Sequence, residues 1–390
     1  MRRSVLSSAV CVLLALGAQS VRSQEPELRR EGGYWVQTVT VNETVPMSAR
    51  LRVNTHGPVK VATDPSGGLT TLAYSVRLSV KAHNENDARR MLRGYTVRVA
   101  QQGGWVVVTA PRGPANAAMT LQVPRGLREV ALSTSDGPVE VTSVDAPLRV
   151  DSGAGMLKVD HAGGDCKLVT GGGEIRAGAI DGMLTAVTGG GHIVAKAVKG
   201  EAVLETAGGD ITIDDVGGPL RAHTMGGTVR VGNAGANVAA STGGGSIIVG
   251  RAQGLVTARN AAGPVQVGAA SGVRCEAGTG AIRLTNISGA MRVSTAMGSI
   301  IASLLAGKLT ESFLSTGNGD ITVVIPSNLG VTVRAENEMA DTLQRIVSEF
   351  PGVPVRLQGT QVVAEGAING GGPLLRISGT GGTIFIKRQP

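Results

Sequence analysis

Any chemistry in this chain has to come from a few histidines, acids and glycine runs, so their spacing is the first question. His161, His192 and His223 would suit a metal or a general base, but both uses need side chains that converge. The three fall at different places of an 18-residue repeat, which reads as three separate surface histidines. Asp160, Asp165, Asp181, Asp214 and Asp215 also occupy shifting positions, whereas a calcium-binding β-roll of the same coil length needs an Asp at one fixed place in every turn. Runs such as Gly171 to Gly173 imitate phosphate-binding loops, yet they lead into strands and not into the helix N-terminus that would hold the anion. A glycan-cleaving β-helix would stack carboxylates or bases on adjacent rungs, often beside aromatic platforms, and the repeats carry neither. The sequence therefore predicts no catalytic, metal-ligating or cofactor-binding residue and no cofactor.

What remains is charge in columns. Lys158, Arg176, Arg230 and Arg283 share one outward position of the repeat and form the candidate binding face. Arg149, Lys167, Arg221, Arg274 and Arg292 share a second. Between them lie the apolar outward positions Val169, Val187, Val194, Val203, Ile248 and Ile301. Rows of this kind on a flat face can serve as an interaction surface. Lys plus Arg is 37 against 29 for Asp plus Glu, a net charge of +8 that suits weak attraction to an anionic envelope. Clustered Lys and Arg interleaved with aromatic or groove-reading elements would mark a nucleic-acid binder, and their absence predicts no nucleic-acid partner.

The elements that must position these residues follow from the repeat, which is the strongest signal in the chain. The pattern G-x-[VIL]-x-[VIAL] recurs at Gly137, Gly155, Gly173, Gly191, Gly209, Gly227, Gly245, Gly263, Gly280, Gly298 and Gly319, with steps of 18 seven times, then 17, 18 and 21. A second small residue sits nine positions later, as at Gly164, Gly182, Gly200 and Gly218, followed by another apolar-x-apolar pair such as Leu184 and Ala186. Each coil thus reads as two short strands and two turns. In Gly209 to Ile213, Ile211 and Ile213 face one way while Asp210 and Thr212 face the other. A further inward column sits seven after the marker glycine: Val144, Ala162, Ile180, Val198, Val216, Ala234, Ala252, Ala270, Ile287 and Leu305. Stacking coils about 4.8 Å apart closes a continuous core. The glycines are expected to supply turn conformations with φ > 0. Ser152, Thr170, Thr188, Thr206, Thr224, Thr242 and Asn260 form another column, which serves either the turn backbone or a ligand. Glycine at 58 of 390 residues could signal disorder, but strict spacing with 42% apolar residues signals a buried core.

The expectation is an all-β, single-stranded parallel β-solenoid (a β-helix, taken as right-handed) of about eleven 18-residue coils with strand-rich caps at both ends. Cys166 and Cys275 fall on inward columns six coils apart, roughly 29 Å, so they are expected as buried, unpaired thiols. Domain reading places a signal peptide at 1–23, a linker at 24–33, an N-terminal cap at 34–133, repeats at 134–325 and a C-terminal cap at 326–390. The leader has Arg2 and Arg3 before the apolar run Val10 to Leu16, with cleavage after Ser20 or Ser23; that run is too short to span a bilayer. Losing Arg2, Arg3 and Arg22 with it lowers the charge to +5. In the N-terminal cap, strands are expected at Trp35–Val41, Ala49–Val53, Leu72–Val80, Tyr95–Val99, Trp105–Thr109 and Met119–Val123, with a helix between Asn86 and Arg93. Asn54 to Val61 reads as an early copy of the repeat, and Ala340–Val347 as a helical run in the C-terminal cap. No aromatic residue lies between Trp105 and Phe313, which fits bulky caps around a uniform body.

Val123-Pro-Arg-Gly-Leu127 leading into Thr134-Ser-Asp-Gly137-Pro-Val, the repeats, the exit Gly319-Asp-Ile-Thr-Val-Val-Ile-Pro326 and the closing Glu365-Gly-Ala-Ile-Asn-Gly-Gly-Gly372 together carry a family likeness. Over nearly the whole mature chain the sequence resembles the bacterial putative-adhesin family of unknown function, whose members are exported β-strand repeat proteins. The resemblance implies an envelope or surface solenoid and transfers no catalytic residue. The expected role is a non-catalytic adhesin or scaffold in the periplasm, on the outer surface or secreted, not integral to the membrane once the leader is cut. Its expected partners are anionic envelope polymers, surface proteins or copies of itself. The alternatives are a β-helix polysaccharide lyase or hydrolase and a signalling partner in envelope-stress sensing.

Overall fold

The computed structural model describes residues 27–45, 49–64, 71–113, 116–307, 309–338 and 343–389, so the expected leader lies outside the described residues. Between Glu129 and Ile325 the chain winds as a parallel β-solenoid with the expected repeat. Each coil gives one strand to sheet A, such as Leu157–Ala162, and one to sheet B, such as Cys166–Thr170. Residue i pairs with residue i+18 through the regular coils, as in Leu157 with Ile175 and Cys166 with Leu184. This register stacks like on like, so the columns read from the sequence become rows in space. Ile175, Ile193, Ile211, Val229 and Ile247 form one buried row, and Leu168, Ala186, Leu204, Ala222 and Ala240 form the row opposite. Burying each aliphatic side chain contributes about 1.5–3 kcal/mol, which a lone coil cannot realise.

The marker glycines do not behave as expected. Only Gly137, Gly263, Gly280, Gly298 and Gly319 take positive φ; those from Gly155 to Gly245 lie outside the left-handed region. Their constraint is close approach between stacked turns. A Cβ on Gly191 would stand inside contact distance of the Gly173 carbonyl oxygen, and the same holds for Gly209 over Gly191 and Gly227 over Gly209. Backbone cannot swing aside as a flexible side chain can.

The Ser/Thr column is the clamp on these turns. Thr224 Oγ1 donates to the Gly209 carbonyl at 2.9 Å and accepts from the Gly227 N–H at 3.1 Å. Thr170, Thr188, Thr206 and Thr242 repeat both bonds on their own glycines. All five are buried, so the column belongs to the fold and leaves no hydroxyl for a ligand.

Both ends depart from chain order. The strands Arg50–Thr55 and Val59–Thr63 form an early coil, as their sequence suggests, packed directly against Glu129–Thr134 and Val139–Val141. The intervening chain loops out, and Trp105–Thr109 and Asn116–Val123 return as the rung beyond it. Antiparallel strands Thr71–Val80, Tyr34–Thr44 and Leu28–Glu31 then extend sheet A, so residues 28–31 of the expected linker are a paired strand. The helix runs Glu85–Leu92, with Asn84 capping the Asp87 N–H at 2.9 Å. The strand expected at Tyr95–Val99 falls at Arg98–Gln102. At the other end, Leu374–Gly379 and Ile384–Arg388 insert between Ser312–Asn318 and Ile321–Ile325 on one side and Val331–Asn337 and Ile346–Ser348 on the other.

Two expectations need correction. Leu305 is 46% exposed and Leu304 takes its inward place at 2%, because the register shifts after Leu284 and pairs Ile287 with Leu304. In the run Ala340–Val347, Leu343–Arg345 is a single 3-10 turn and Val347 lies in the strand Ile346–Ser348; residues 340–342 fall outside the described residues.

Cys166 and Cys275 are buried and unpaired, as expected, and burial pushes both thiols up to about 12. Both are expected to resist Ellman's reagent in the native protein at pH 8 and to react fully in denaturant. Gly191→Ala should lower the urea midpoint by the equivalent of ~1–3 kcal/mol, the usual cost of overpacking. The neighbouring Gly190→Ala meets nothing within 4 Å and should be neutral or slightly stabilising.

Candidate functional site

With the interior and turns committed to folding, the outward rows of the two sheets are where a partner can be met. On sheet A the register confirms that Lys158, Arg176, Arg230 and Arg283 share a row. It does not make them continuous. Val194 and Thr212 separate Arg176 from Arg230, while Ile248 and Gln266 separate Arg230 from Arg283.

Nor are these four cations equivalent. Glu140 sits between Lys60 (2.9 Å) and Lys158 (3.2 Å) on successive rungs, and these ammonium groups hold its carboxyl below the ordinary carboxylate range. Lys158 also reaches Asp160 at 3.4 Å. Arg176 is held by Glu174 through two bonds, at 2.8 and 3.1 Å. Among the described residues, Arg230 and Arg283 make no ion pair. The apolar outward residues Val194, Ile248 and Ile301 on this row are half-buried by their neighbours.

Sheet B carries the denser row. Arg149 pairs with Asp151 at 2.8 Å, and Lys167 follows it. Then come Thr185, Val203, Arg221, Ala239 and Thr257, a stretch with a single cation. From Arg274 the row changes to Arg274, Arg292, Phe313, Arg376 and Arg334 on five consecutive rungs. The last two could not be found from the repeat, because the inserted C-terminal rung brings them there from outside the periodic region.

The histidines stay apart, as their spacing indicates, and each has a local role. His192 Nδ1 accepts from the Asp210 N–H at 3.0 Å, and His161 lies 3.9 Å from Asp145. His223 Nδ1 is 2.7 Å from Ser241 Oγ, with Glu205 and Arg259 on the flanking rungs of the same row. That Glu-His-Ser order resembles a hydrolase set. However, strand N–H groups here are spent on the ladder, so no backbone donors face outward to hold an oxyanion. Arg259, on the rung beyond Ser241, is 3.4 Å from Glu276.

A second Ser-His pair lies at the N-terminal end beside a cavity of about 540 Å³ lined by Glu31, Tyr34, His56, Arg77, Asp136 and others. His56 Nδ1 is 2.7 Å from Ser135 Oγ, but the Arg112 guanidinium also approaches that nitrogen at 3.4 Å. An N–H aimed at Nδ1 competes with the serine for the lone pair that a general base would use. Asp136 is engaged with the Gly137 N–H at 2.7 Å.

The scattered acids serve neighbouring rungs. Asp165 accepts from the Met183 N–H at 2.9 Å, Asp181 pairs with Lys199 at 2.8 Å, and Asp215 accepts from Asn233 at 2.9 Å. Among the described residues, no group of three His, Cys, Asp or Glu side chains could hold a metal ion. None of their helices is long and apolar enough to cross a membrane.

No family model matches the chain, and no curated protein does. Among solved structures it is similar to a putative adhesin from Bacteroides fragilis, 14% identical over 70% of this chain and 96% of that one, with a TM-score of 0.28. A putative adhesin from Parabacteroides distasonis is 10% identical over 71% and 97%, with a TM-score of 0.29. A putative cell adhesion protein from Clostridium sporogenes is 8% identical over 90% and 100%, with a TM-score of 0.20.

The chemistry of the two Ser-His pairs can be checked directly. A fluorophosphonate probe is expected to leave Ser135 and Ser241 unlabelled on peptide mapping. Labelling of either one that is lost on substituting its histidine would mark a working nucleophile.

Proposed function

We propose that this chain is an exported, non-catalytic adhesin or scaffold that holds envelope polymers or surface proteins on the outer faces of its sheets. The observation that carries the reading is the division of labour within each coil. Inward residues, turn glycines and the Thr column are consumed by stacking. Only the outward rows are free to vary from rung to rung, and they vary in charge. A short apolar leader behind Arg2 and Arg3 supports export. The excess of Lys and Arg favours anionic partners, whose attraction acts over about a Debye length, ~8 Å at physiological salt.

The test uses the mature chain with isolated cell envelopes. It is expected to co-sediment with them at physiological salt and to be released as ionic strength rises. Binding neither to envelopes nor to itself by analytical ultracentrifugation would end this reading. Turnover of an acidic-polysaccharide panel, lost on changing one ionisable residue, would replace it with a lyase or hydrolase.

A further inference from the structure

Resting on the reading above, we propose that the C-terminal third of sheet B is a binding site for an acidic polysaccharide lying along the solenoid axis. Its core is the row Arg274, Arg292, Phe313, Arg376 and Arg334. Five consecutive rungs at about 4.8 Å place four guanidinium groups within roughly 19 Å of one another.

Adjacent like charges on a sheet face are destabilising, so such a row costs stability unless something neutralises it. Where Lys158 adjoins Arg176 and Arg149 adjoins Lys167, the protein supplies a partner itself: Glu140 and Asp160 for Lys158, Glu174 for Arg176 and Asp151 for Arg149. Arg221, Arg230 and Arg283 have uncharged neighbours on the adjoining rungs of their rows. Here only Arg334 is paired, with Glu336 at 2.6 Å. Among the described residues, Arg274, Arg292 and Arg376 have no carboxylate partner. Glu276 is turned to Arg259, Glu365 beyond Arg334 reaches Arg356 at 3.7 Å, and Glu311, exposed just before the strand Ser312–Asn318, makes no ion pair among the described residues. The parallel outward row beside these residues is Glu276, Ser294, Ser315, Ser378 and Glu336: carboxylates stand at its two ends, and the short hydroxyls between them leave Arg292 and Arg376 open and can bond to sugar hydroxyls.

Phe313 decides the class of polyanion. It is 41% exposed at the centre of the row, and among the described residues no guanidinium stacks on its ring. A solvent-facing phenyl flanked by cations offers a platform for the apolar face of one sugar ring. Arg292 and Arg376 lie one rung to either side, about 9.6 Å apart, close to the length of two linked sugars. The fit is to a chain in which sugars bearing carboxylates flank a neutral sugar on Phe313, each carboxylate held by a bidentate guanidinium. A nucleic acid would instead call for several stacking platforms, one per base.

The test uses the mature chain with hyaluronan oligosaccharides, in which acidic and neutral sugars alternate, and with the same oligosaccharides after carboxyl reduction. Isothermal titration should show binding to the first and none to the second. Arg292→Ala with Arg376→Ala should weaken it ~100-fold, about tenfold per charge-assisted contact, and Phe313→Ser about tenfold. These side chains are exposed, and unchanged circular dichroism and melting would show that the variants fold. Arg89→Ala with Arg90→Ala, on the helix Glu85–Leu92, removes the same charge away from the sheet faces and should leave binding unchanged. Absence of hyaluronan binding overturns the proposal, as does equal binding to duplex DNA that ignores Phe313→Ser. Envelope co-sedimentation that survives the Arg292/Arg376 substitutions would overturn this site while leaving the scaffold reading intact; loss of all envelope binding in the unaltered chain would remove both.

Discussion

The whole solenoid depends on how closely one turn can sit upon the next. At the marker positions from Gly173 to Gly245 a glycine lies over the carbonyl of the glycine one coil earlier, and a threonine bonds to both. The Thr224 hydroxyl takes the Gly227 N–H and gives its proton to the Gly209 carbonyl, so three residues from successive coils share one node. Such a node satisfies polar backbone that turns would otherwise leave buried and unpaired. It also fixes register, because a slip of one residue would put a side chain where only a hydrogen fits.

With register fixed, the interior becomes a set of uniform rows and carries no information about a partner. Every inward column is aliphatic or small, and both cysteines act as small apolar side chains whose thiols burial keeps protonated. Variation is confined to the outer rows, where neighbouring rungs can place charges side by side. Some of those charges are neutralised locally, as Glu140 is by Lys60 and Lys158, and pairs so exposed add little stability. The run from Arg274 to Arg334 differs in that, among the described residues, Arg274, Arg292 and Arg376 have no carboxylate partner, an arrangement that packing does not favour.

Much of this was legible in the chain. The 18-residue spacing determined the inward columns from Val144 to Ile287, the separation of Cys166 from Cys275, and the wide spacing of the histidines. Errors arose where a local rule competed with stacking. Glycine suggested positive φ, but from Gly155 to Gly245 the constraint is the carbonyl below. Leu305 followed the count from Gly298, but a register shift within that long coil moved the inward place to Leu304. Val347 looked helical by pattern, but pairing with Phe385 holds it in a strand.

The sequence by itself determined the coil, its core rows and the sharing of outward rows by Lys158, Arg176, Arg230 and Arg283, because residues one repeat apart must stack. It could not determine the order of rungs at the ends, where no period links the partners. There the unsatisfied edge and exposed core of the last repeat can be covered by any strand of fitting pattern, near or far in the chain. Tertiary structure chose Leu374–Gly379 and Ile384–Arg388 for that place. That choice sets Arg376 beside Phe313 and Arg334 beside Arg376, completing a row of which the repeat alone supplies only Arg274 and Arg292.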